Sequence, residues 1–276
     1  MAEGKRVDLV SECLSEDVKY NHYIITGANE SDFSYHTHDR YEIILVVKGD
    51  MKYVAEGKSY DLAVGDLILT RPSAFHAVMT KGVTCYERYD SIFNEKIVER
   101  SILDRIPKDR DVFKCTANER MFDLFSKLDF YYNKFTDNEY AKLTESIIAE
   151  AVYNLTLLDG AEDTAVVNPL IDKATDYIRT HLSTVRGLDE ISEALYVTKS
   201  HLHHLFIKYL HMTPSKYILS KRLLKAQKRI LSGGKPTEVY TECGFDDYAT
   251  FFRNYKRYFG YSPSVSRNTE ITREIL

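Results

Sequence analysis

The side chains best suited to chemistry lie in the first third of the chain. His36, His38 and Glu42 form the pattern H-x-H-x₃-E, and His76 follows later. Alternate side chains of an extended strand point to the same side, so His36 and His38 are expected to face one way. Three imidazole nitrogens and one carboxylate would suit a divalent transition metal. The same groups would also serve as a polar pocket for a small ligand, or as core residues that need hydrogen-bond partners once buried.

Short β-strands are predicted to carry these groups. Residues 41–47 are rich in β-branched types and end at the turn signal Lys48-Gly49-Asp50. Residues 51–55 and 60–64 flank a second turn at Glu56-Gly57-Lys58, and residues 67–69 follow Gly65-Asp66. Several short strands at this spacing, between about residues 20 and 89, are typical of a sandwich or a barrel.

The spacing of these four residues, together with that of Gly49 and Gly65, also resembles the two cupin motifs. That resemblance implies a small β-barrel with His36, His38, Glu42 and His76 inside it, so that residues forty positions apart share one site. Two positions depart from the metal-binding pattern: Pro72 comes one residue late, and Thr80 stands where an asparagine is usual. A metal site, an effector pocket and plain core packing all remain open, and we favour the pocket.

Helical periodicity replaces the strand pattern after about residue 94. Residues 119–132 and 139–158 are predicted helices. The second has apolar residues at helical spacing, namely Leu143, Ile147, Ile148, Ala151, Leu155 and Leu158. The polar stretch 159–163 is predicted to be a linker, and the chain beyond it is predicted helical to about residue 259. Pro169, Pro214 and Pro236 each stand where a helix can begin.

A helix, a tight turn and a second helix are predicted over residues 188–209. Thr198 can cap the second helix, in which Leu202, Leu205, Phe206 and Tyr209 form one buried face. The exposed face then carries Lys199, Ser200, His203 and His204. This is the geometry of a unit that enters the major groove of DNA, although an ordinary helical hairpin shows it as well.

The arrangement repeats nearer the C-terminus. Residues 236–243 form a short helix, Gly244 provides a left-handed stop, and Asp246 or Asp247 caps the next helix. Phe251, Tyr255 and Phe259 are predicted to face inward there. A longer helix over residues 216–231 would hold the two units apart. Two recognition helices about 34 Å apart could enter successive major grooves on one side of the duplex.

Charge is unevenly distributed along the chain. Residues 168–276 contain 17 Lys and Arg against 11 Asp and Glu, whereas the whole chain has a net charge of −4. A basic C-terminal part on an acidic chain indicates that only this part meets a polyanion. Apolar runs are too short for a membrane span. The widely spaced Cys13, Cys85, Cys115 and Cys243 are read as reduced thiols of a cytoplasmic protein.

Residues 169–267 resemble the AraC/XylS transcriptional regulators. The most specific stretch is 244–256, GFDDYATFFRNYK, followed by the closing FGYSPS of residues 259–264. The first unit matches at Leu202, Leu205-Phe206 and Lys208, and further at Met212-Thr213-Pro214, Tyr217, Arg222-Leu223, Ala226 and Leu231. The resemblance implies two helix-turn-helix units that bind double-stranded DNA.

The family's base-reading positions fall on Ser200, His203 and His204 in the first unit and on Tyr248, Ala249 and Arg253 in the second. Thr198, Lys199 and Lys208 are assigned to phosphates. Ser192 and Tyr240 replace the small alanine that usually packs against each recognition helix, and Tyr196 stands in a turn that usually carries glycine. A bulky Tyr240 could tilt the second recognition helix.

The predicted protein is therefore an α+β, two-domain regulator. Residues 1–115 form a cupin-like sensor, 116–163 a helical segment for dimerisation or linkage, and 168–270 an all-α DNA-binding domain. Its partners are DNA, a small-molecule effector such as a carbohydrate, a second copy of the chain, and RNA polymerase, with no membrane. Leu143 and Ile147 could serve the dimer or the sensor core. A metal-dependent cupin enzyme, or a DNA binder that senses nothing, are the competing classes.

Overall fold

The computed structural model describes residues 5–28, 35–81, 84–115, 119–158, 165–265 and 273–274. It divides into two compact units. The first consists of residues 1–34, 40–54 and 59–165, and the second of 166–276 with the short segments 35–39 and 55–58. The predicted linker over residues 159–163 lies outside the described residues. No helix in the described ranges is long and apolar enough to cross a membrane.

Most strands belong to the first unit. The strands of the described residues are β1 (Arg6–Leu14), β2 (Val18–Ala28), β3 (His36–Thr37), β4 (Tyr41–Lys48), β5 (Met51–Ala55), β6 (Lys58–Leu62), β7 (Asp66–Thr70), β8 (His76–Thr80), β9 (Thr84–Phe93), β10 (Val112–Lys114), β11 (Val166–Val167) and β12 (Arg273–Glu274). Of these, β3, β11 and β12 belong to the second unit. One sheet runs in the order β1-β2-β9-β4-β7-β10 with antiparallel pairs, and β6-β5-β8 are neighbours in a second. The predicted sheet-rich N-terminal domain is confirmed.

Alternation along β4 divides its side chains between two environments. Ile43 and Leu45 belong to a core that the sheet shares with the helices after it, whereas Glu42 lies on the opposite face. That core is covered by α1 (Arg100–Leu103), α2 (Glu119–Tyr131) and α3 (Asp137–Leu155). A capping box between Thr136 and Glu139 fixes the start of α3. The sheet therefore has one apolar face under helices and one face with ionisable groups.

Asp129 of α2 ties this helix to three strands. Its carboxylate accepts hydrogen bonds from Ser11 (2.5 Å) and Tyr89 (2.8 Å), and it lies 2.9 Å from Nδ1 of His22. The other ring nitrogen of His22 lies 3.1 Å from Oε1 of Glu87. A carboxylate that accepts several hydrogen bonds is compensated for its partial burial, so this cluster holds α2 in one register on the sheet.

The second unit is helical. Its helices are α4 (Pro169–Thr180), α5 (Leu188–Ala194), α6 (Lys199–Leu210), α7 (Pro214–Leu231), α8 (Pro236–Glu242) and α9 (Tyr248–Phe259). Asn168, Thr198, Thr213 and Asp247 each cap a following helix with a side-chain oxygen. Prolines occupy the first turn of α4, α7 and α8, as the sequence predicts. The predicted helical C-terminal domain is thus confirmed.

The turn over residues 55–58 packs within the second unit. The carboxylate of Glu56 accepts hydrogen bonds from the Tyr217 hydroxyl and the Lys221 ammonium of α7. Gly57 next to it has a φ of +83°, and a Cβ there would collide with Ile171. This turn therefore needs glycine for conformation and for space.

Candidate nucleic-acid interface and effector site

The first helix-turn-helix unit consists of α5 and α6. Leu202, Leu205, Phe206 and Leu210 of α6 are buried, and Tyr209, which the sequence placed on this face, is only half-buried. The base-reading candidates Ser200, His203 and His204 and the phosphate candidates Thr198, Lys199 and Lys208 are all exposed. One face of α6 is therefore buried in the helical part of the chain, and the face predicted to meet DNA is exposed to solvent.

Two of these side chains already have partners. The Thr198 hydroxyl oxygen accepts a hydrogen bond from the His201 backbone N–H at 3.3 Å, which leaves its own O–H available to a phosphate. The Lys199 ammonium lies 2.7 Å from the Asp189 carboxylate of α5. Because this ion pair is exposed, it is weak, and exchanging Asp189 for a phosphate costs little.

Ser192 and Tyr240 fit their unusual places by different means. Ser192 is buried, and its hydroxyl donates to the Asp189 carbonyl at 2.8 Å, so the extra oxygen is satisfied within α5. Tyr240 stacks on Phe251 and meets Tyr248 edge to face, with ring centroids 6.3 and 5.7 Å apart. Its bulk is taken up by an aromatic cluster at the start of α9.

The second helix-turn-helix unit consists of α8 and α9. Phe251, Tyr255 and Phe259 are buried as predicted, and the candidates Ala249 and Arg253 are exposed. Tyr248 is half-buried, because its ring packs against Tyr240 and Phe251. The Arg253 guanidinium lies 3.2 Å from the Thr250 hydroxyl, one turn earlier on α9. Arg253 is thus a long, exposed donor in the first half of this helix.

Arg222 of α7 joins the segment before α5 to the turn between α8 and α9. Its guanidinium donates to the carbonyls of Leu182 (2.9 Å) and Val185 (2.6 Å). Burial lowers the pKa of this guanidinium, and the nearby Asp246 partly offsets that effect. A Cβ at Gly244 would stand 2.6 Å from the Ser183 carbonyl and 2.9 Å from Arg222. The sequence marked Arg222 only as a family match, since its partners are carbonyls far along the chain.

The predicted effector residues come together. His36, His38, Glu42 and His76 each offer a ligand atom, and these atoms lie within 4.8 Å of one another. His38, Glu42 and His76 are buried, and His36 is half-buried. Nε2 of His76 lies 2.9 Å from Oε2 of Glu42, and Nδ1 of His76 lies 3.0 Å from the Ala74 carbonyl.

The Ala74 carbonyl determines what this group can bind. A carbonyl only accepts, so Nδ1 of His76 carries a proton, and in the neutral ring the Nε2 lone pair faces the Glu42 carboxylate. Two acceptors at this distance need a proton or a cation between them. Three nitrogens and one oxygen, with one imidazole oriented from behind by a carbonyl, fit a divalent transition metal.

Two further ionisable side chains extend this polar group along β9. The Arg88 guanidinium lies 2.8 Å from the Asp90 carboxylate. Burial raises the pKa of Asp90 to about 7, and a hydrogen bond with Glu42 adds to that effect while Arg88 opposes it. Tyr86, Arg88 and Asp90 alternate along the strand, so all three share one face. The sequence predictions did not include them, although two charged residues two positions apart in a predicted strand were the available signal.

Comparisons with known proteins agree with both units. Residues 22–128 match an AraC-like ligand binding domain, and residues 191–269 match a helix-turn-helix domain. The regulator GbdR of Pseudomonas aeruginosa is 32% identical over 100 residues, which cover 36% of this chain and 27% of that protein. The lactose operon transcription activator of Staphylococcus xylosus is 26% identical over 104 residues, covering 37% of each chain.

One relative matches almost throughout. The Msm operon regulatory protein of Streptococcus mutans is 23% identical over 272 residues, which cover 91% of this chain and 92% of that protein. The ligand-binding and helix-turn-helix matches follow one another in this chain in the order that the sequence resemblance implies. The chain belongs to the AraC/XylS family of transcriptional regulators.

Proposed function

We propose that this chain binds double-stranded DNA sequence-specifically and regulates transcription in response to a small molecule. The observation that carries the proposal is the pair of helix-turn-helix units, each with a capped recognition helix and an exposed polar face. The AraC-like ligand binding match in the same chain supports the sensing part. Under this proposal the chain is a regulator and not an enzyme.

In the DNA complex, Ser200, His203 and His204 read bases from α6, and Ala249 and Arg253 read them from α9. Arg253 pairs with guanine through two donors, and the Ala249 methyl packs against a thymine methyl. Tyr248 contributes the edge of its half-buried ring. Thr198, Lys199 and Lys208 hold phosphates, which fixes the register of α6 without reading sequence.

The effector site is proposed to contain His36, His38, Glu42 and His76, with Arg88 and Asp90 on β9 beside Glu42. These groups offer both donors and acceptors on a buried face, which suits a ligand rich in hydroxyl groups. The name of the Staphylococcus xylosus relative, a lactose operon activator, agrees with a carbohydrate. A divalent transition metal held by the same four residues is the other occupant that their chemistry allows.

The test uses the full chain and a duplex enriched by the wild-type protein from a pool of randomised DNA. Binding is measured with and without each member of a panel of sugars, in wild type and in the double variant His38→Ala, His76→Ala. We expect one sugar to change the DNA affinity of the wild type and not that of the variant. An unchanged response in the variant would make the four residues core packing only. No enrichment of any sequence would reject the DNA-binding function itself.

Metal content of the same two proteins separates the two occupants. A stoichiometric transition metal in the wild type that disappears from the double variant would make the four residues a metal centre. A wild type without bound metal, together with a lost sugar response, would make them an organic effector pocket. The duplex binding of the variant serves as the control for folding of the DNA-binding unit.

A dimer is proposed through the exposed side of α3 and its neighbours. Ile147, Ile148, Ala151 and Leu155 of the predicted stripe belong to the sheet core, so they are not available to a partner. Phe135, Tyr153 and Leu157 are 48%, 42% and 68% exposed, and Phe135 lines a groove with Leu143. A second copy of the chain would cover this face, and light scattering with and without effector measures whether it does. RNA polymerase is proposed as a further partner on DNA.

A further inference from the structure

Tyr196 has an unusual combination of backbone and side-chain environment. It lies in the turn between α5 and α6, its φ is +55°, and its side chain is 95% exposed. A left-handed backbone is sterically costly for a residue with a Cβ, whereas glycine adopts it freely. A side chain this exposed recovers little of that cost by burial. Folding of the free protein therefore gives no reason for a tyrosine here.

Hydrogen bonds hold the turn, and with it the Cα of Tyr196, in one place. The Tyr196 N–H donates to the Glu193 carbonyl (3.2 Å), and the Val197 N–H donates to the Ser192 carbonyl (3.0 Å). This is the two-bond Schellman pattern that ends many helices, and it requires the left-handed residue at the position of Tyr196. The Thr198 cap follows at once. The phenol is therefore presented from a rigid base next to the first residue of α6.

The position of this phenol matches where DNA approaches such a unit. The N-terminal end of a recognition helix enters the major groove, so the turn before it passes close to the sugar-phosphate backbone. The exposed candidates Lys199 and Ser200 follow Tyr196 within four residues. A phenol O–H donates readily to a phosphate oxygen, and tyrosine is among the residues that make such contacts.

Resting on the proposed DNA binding, we infer that Tyr196 contacts the DNA backbone beside the groove entered by α6. We infer also that it positions the first recognition helix on the duplex. The contact is one hydrogen bond from the hydroxyl to a phosphate, with the ring against the adjacent sugar. The strain in the turn is retained because glycine, which would relieve it, has no side chain to make this contact.

The test separates folding from binding, because the two respond in opposite directions. The substitution Tyr196→Gly removes the backbone strain, so the Tm of the full chain is expected to equal or exceed that of wild type. Affinity for the duplex enriched by the wild type is expected to fall roughly three- to ten-fold, as for one lost hydrogen bond. Because the phenol is neutral, the slope of affinity against salt is expected to stay unchanged.

Two variants act as controls. Tyr196→Phe keeps the ring and loses only the hydroxyl, so it should lose most of the affinity lost by Tyr196→Gly, again with an unchanged salt slope. His211→Gly relieves a comparable left-handed residue, with φ of +54°, at the other end of α6. That end does not enter the groove, so this variant should bind DNA as wild type does.

The proposal is overturned if Tyr196→Gly binds the duplex as tightly as wild type. If that variant also loses activation of transcription in vitro, the exposed phenol contacts a protein partner and not DNA. A fall in Tm with a parallel fall in affinity would assign Tyr196 to the fold.

Discussion

The two helix-turn-helix units make the same turn with opposite residues. In both, the residue after the C-cap of the first helix is left-handed, with φ of +55° at Tyr196 and +86° at Gly244. Two backbone hydrogen bonds close the same pattern in each turn. In the first turn the N–H groups of Tyr196 and Val197 donate to the carbonyls of Glu193 and Ser192. In the second, those of Gly244 and Phe245 donate to the carbonyls of Thr241 and Tyr240. The backbone requirement is therefore identical, and it does not explain the different residues.

Space around the turn explains the difference. Gly244 is enclosed by the Ser183 carbonyl and the Arg222 guanidinium, so any Cβ there meets atoms that cannot move away. Tyr196 stands in solvent, so its Cβ costs only conformational strain. Packing around Gly244 excludes every residue except glycine. The turn at Tyr196 accepts a larger residue, and we infer that this residue is retained because it contacts DNA. Three predictions test this contrast, from the largest expected effect to the smallest.

The largest effect is expected at the enclosed turn. Gly244→Ala adds a Cβ against the Ser183 carbonyl and forces alanine into a left-handed conformation, so the free energy of unfolding should fall by about 3 kcal/mol. Denaturation of the full chain, with far-UV circular dichroism, measures this loss. Tyr196→Gly is the matched control at the open turn and should not destabilise. Equal losses in the two variants would show that enclosure does not distinguish the turns.

The second-largest effect is expected on DNA affinity, because the two recognition helices carry a base-reading candidate and a phosphate candidate. Arg253→Ala on α9 should reduce affinity for the enriched duplex by about 1–3 kcal/mol and relax the preference at one base pair, because arginine pairs with guanine through two donors. Lys208→Ala on α6 should weaken specific and random duplexes alike and reduce the salt slope by about one. Titration at several salt concentrations separates the two. If Arg253→Ala lost affinity equally on both duplexes, Arg253 would be a phosphate contact.

The caps give the smallest difference, because only one of them titrates. The pKa of Asp247 is lowered by the hydrogen bonds it accepts from Thr250, so its stabilising effect is complete above the ordinary carboxyl range and is lost as the pH falls through the folded value. The Thr198 cap has no such dependence. Asp247→Asn, which still caps α9, should reduce the loss of Tm between neutral pH and about pH 3. Thr198→Ala should lower stability by about 1 kcal/mol at every pH.

The pattern of the sequence predicted most elements because it depends on local periodicity and turn residues. β5 and the starts of α2 and β4 fall where predicted, and α3 ends at Leu155, a turn earlier than expected. β1 was missed, because the pairing of this edge strand shifts between Leu9 and Ser11 and leaves Val7, Leu9 and Leu14 exposed. An irregular edge strand lacks the alternation from which strands are recognised.

The candidate site was predicted as far as motifs extend. The H-x-H-x₃-E pattern and His76 located four groups that the fold brings together. Arg88 and Asp90 were not found, because their closeness to Glu42 comes from the pairing of β4 with β9 and from no motif. The roles of the four residues, and those of the base-reading and phosphate candidates, stay predictions.

The sequence alone determined the family, the two kinds of domain, the caps and the faces of the recognition helices. Each of these depends on residues close in the chain or on a motif with fixed spacing. The tertiary structure decided which side chains are buried against other segments and which are exposed to solvent. It assigned Ile147 and Leu155 to a core, enclosed Gly244 against Arg222, and left Tyr196 in solvent. Burial depends on which distant segments pack together, and no local pattern contains that information.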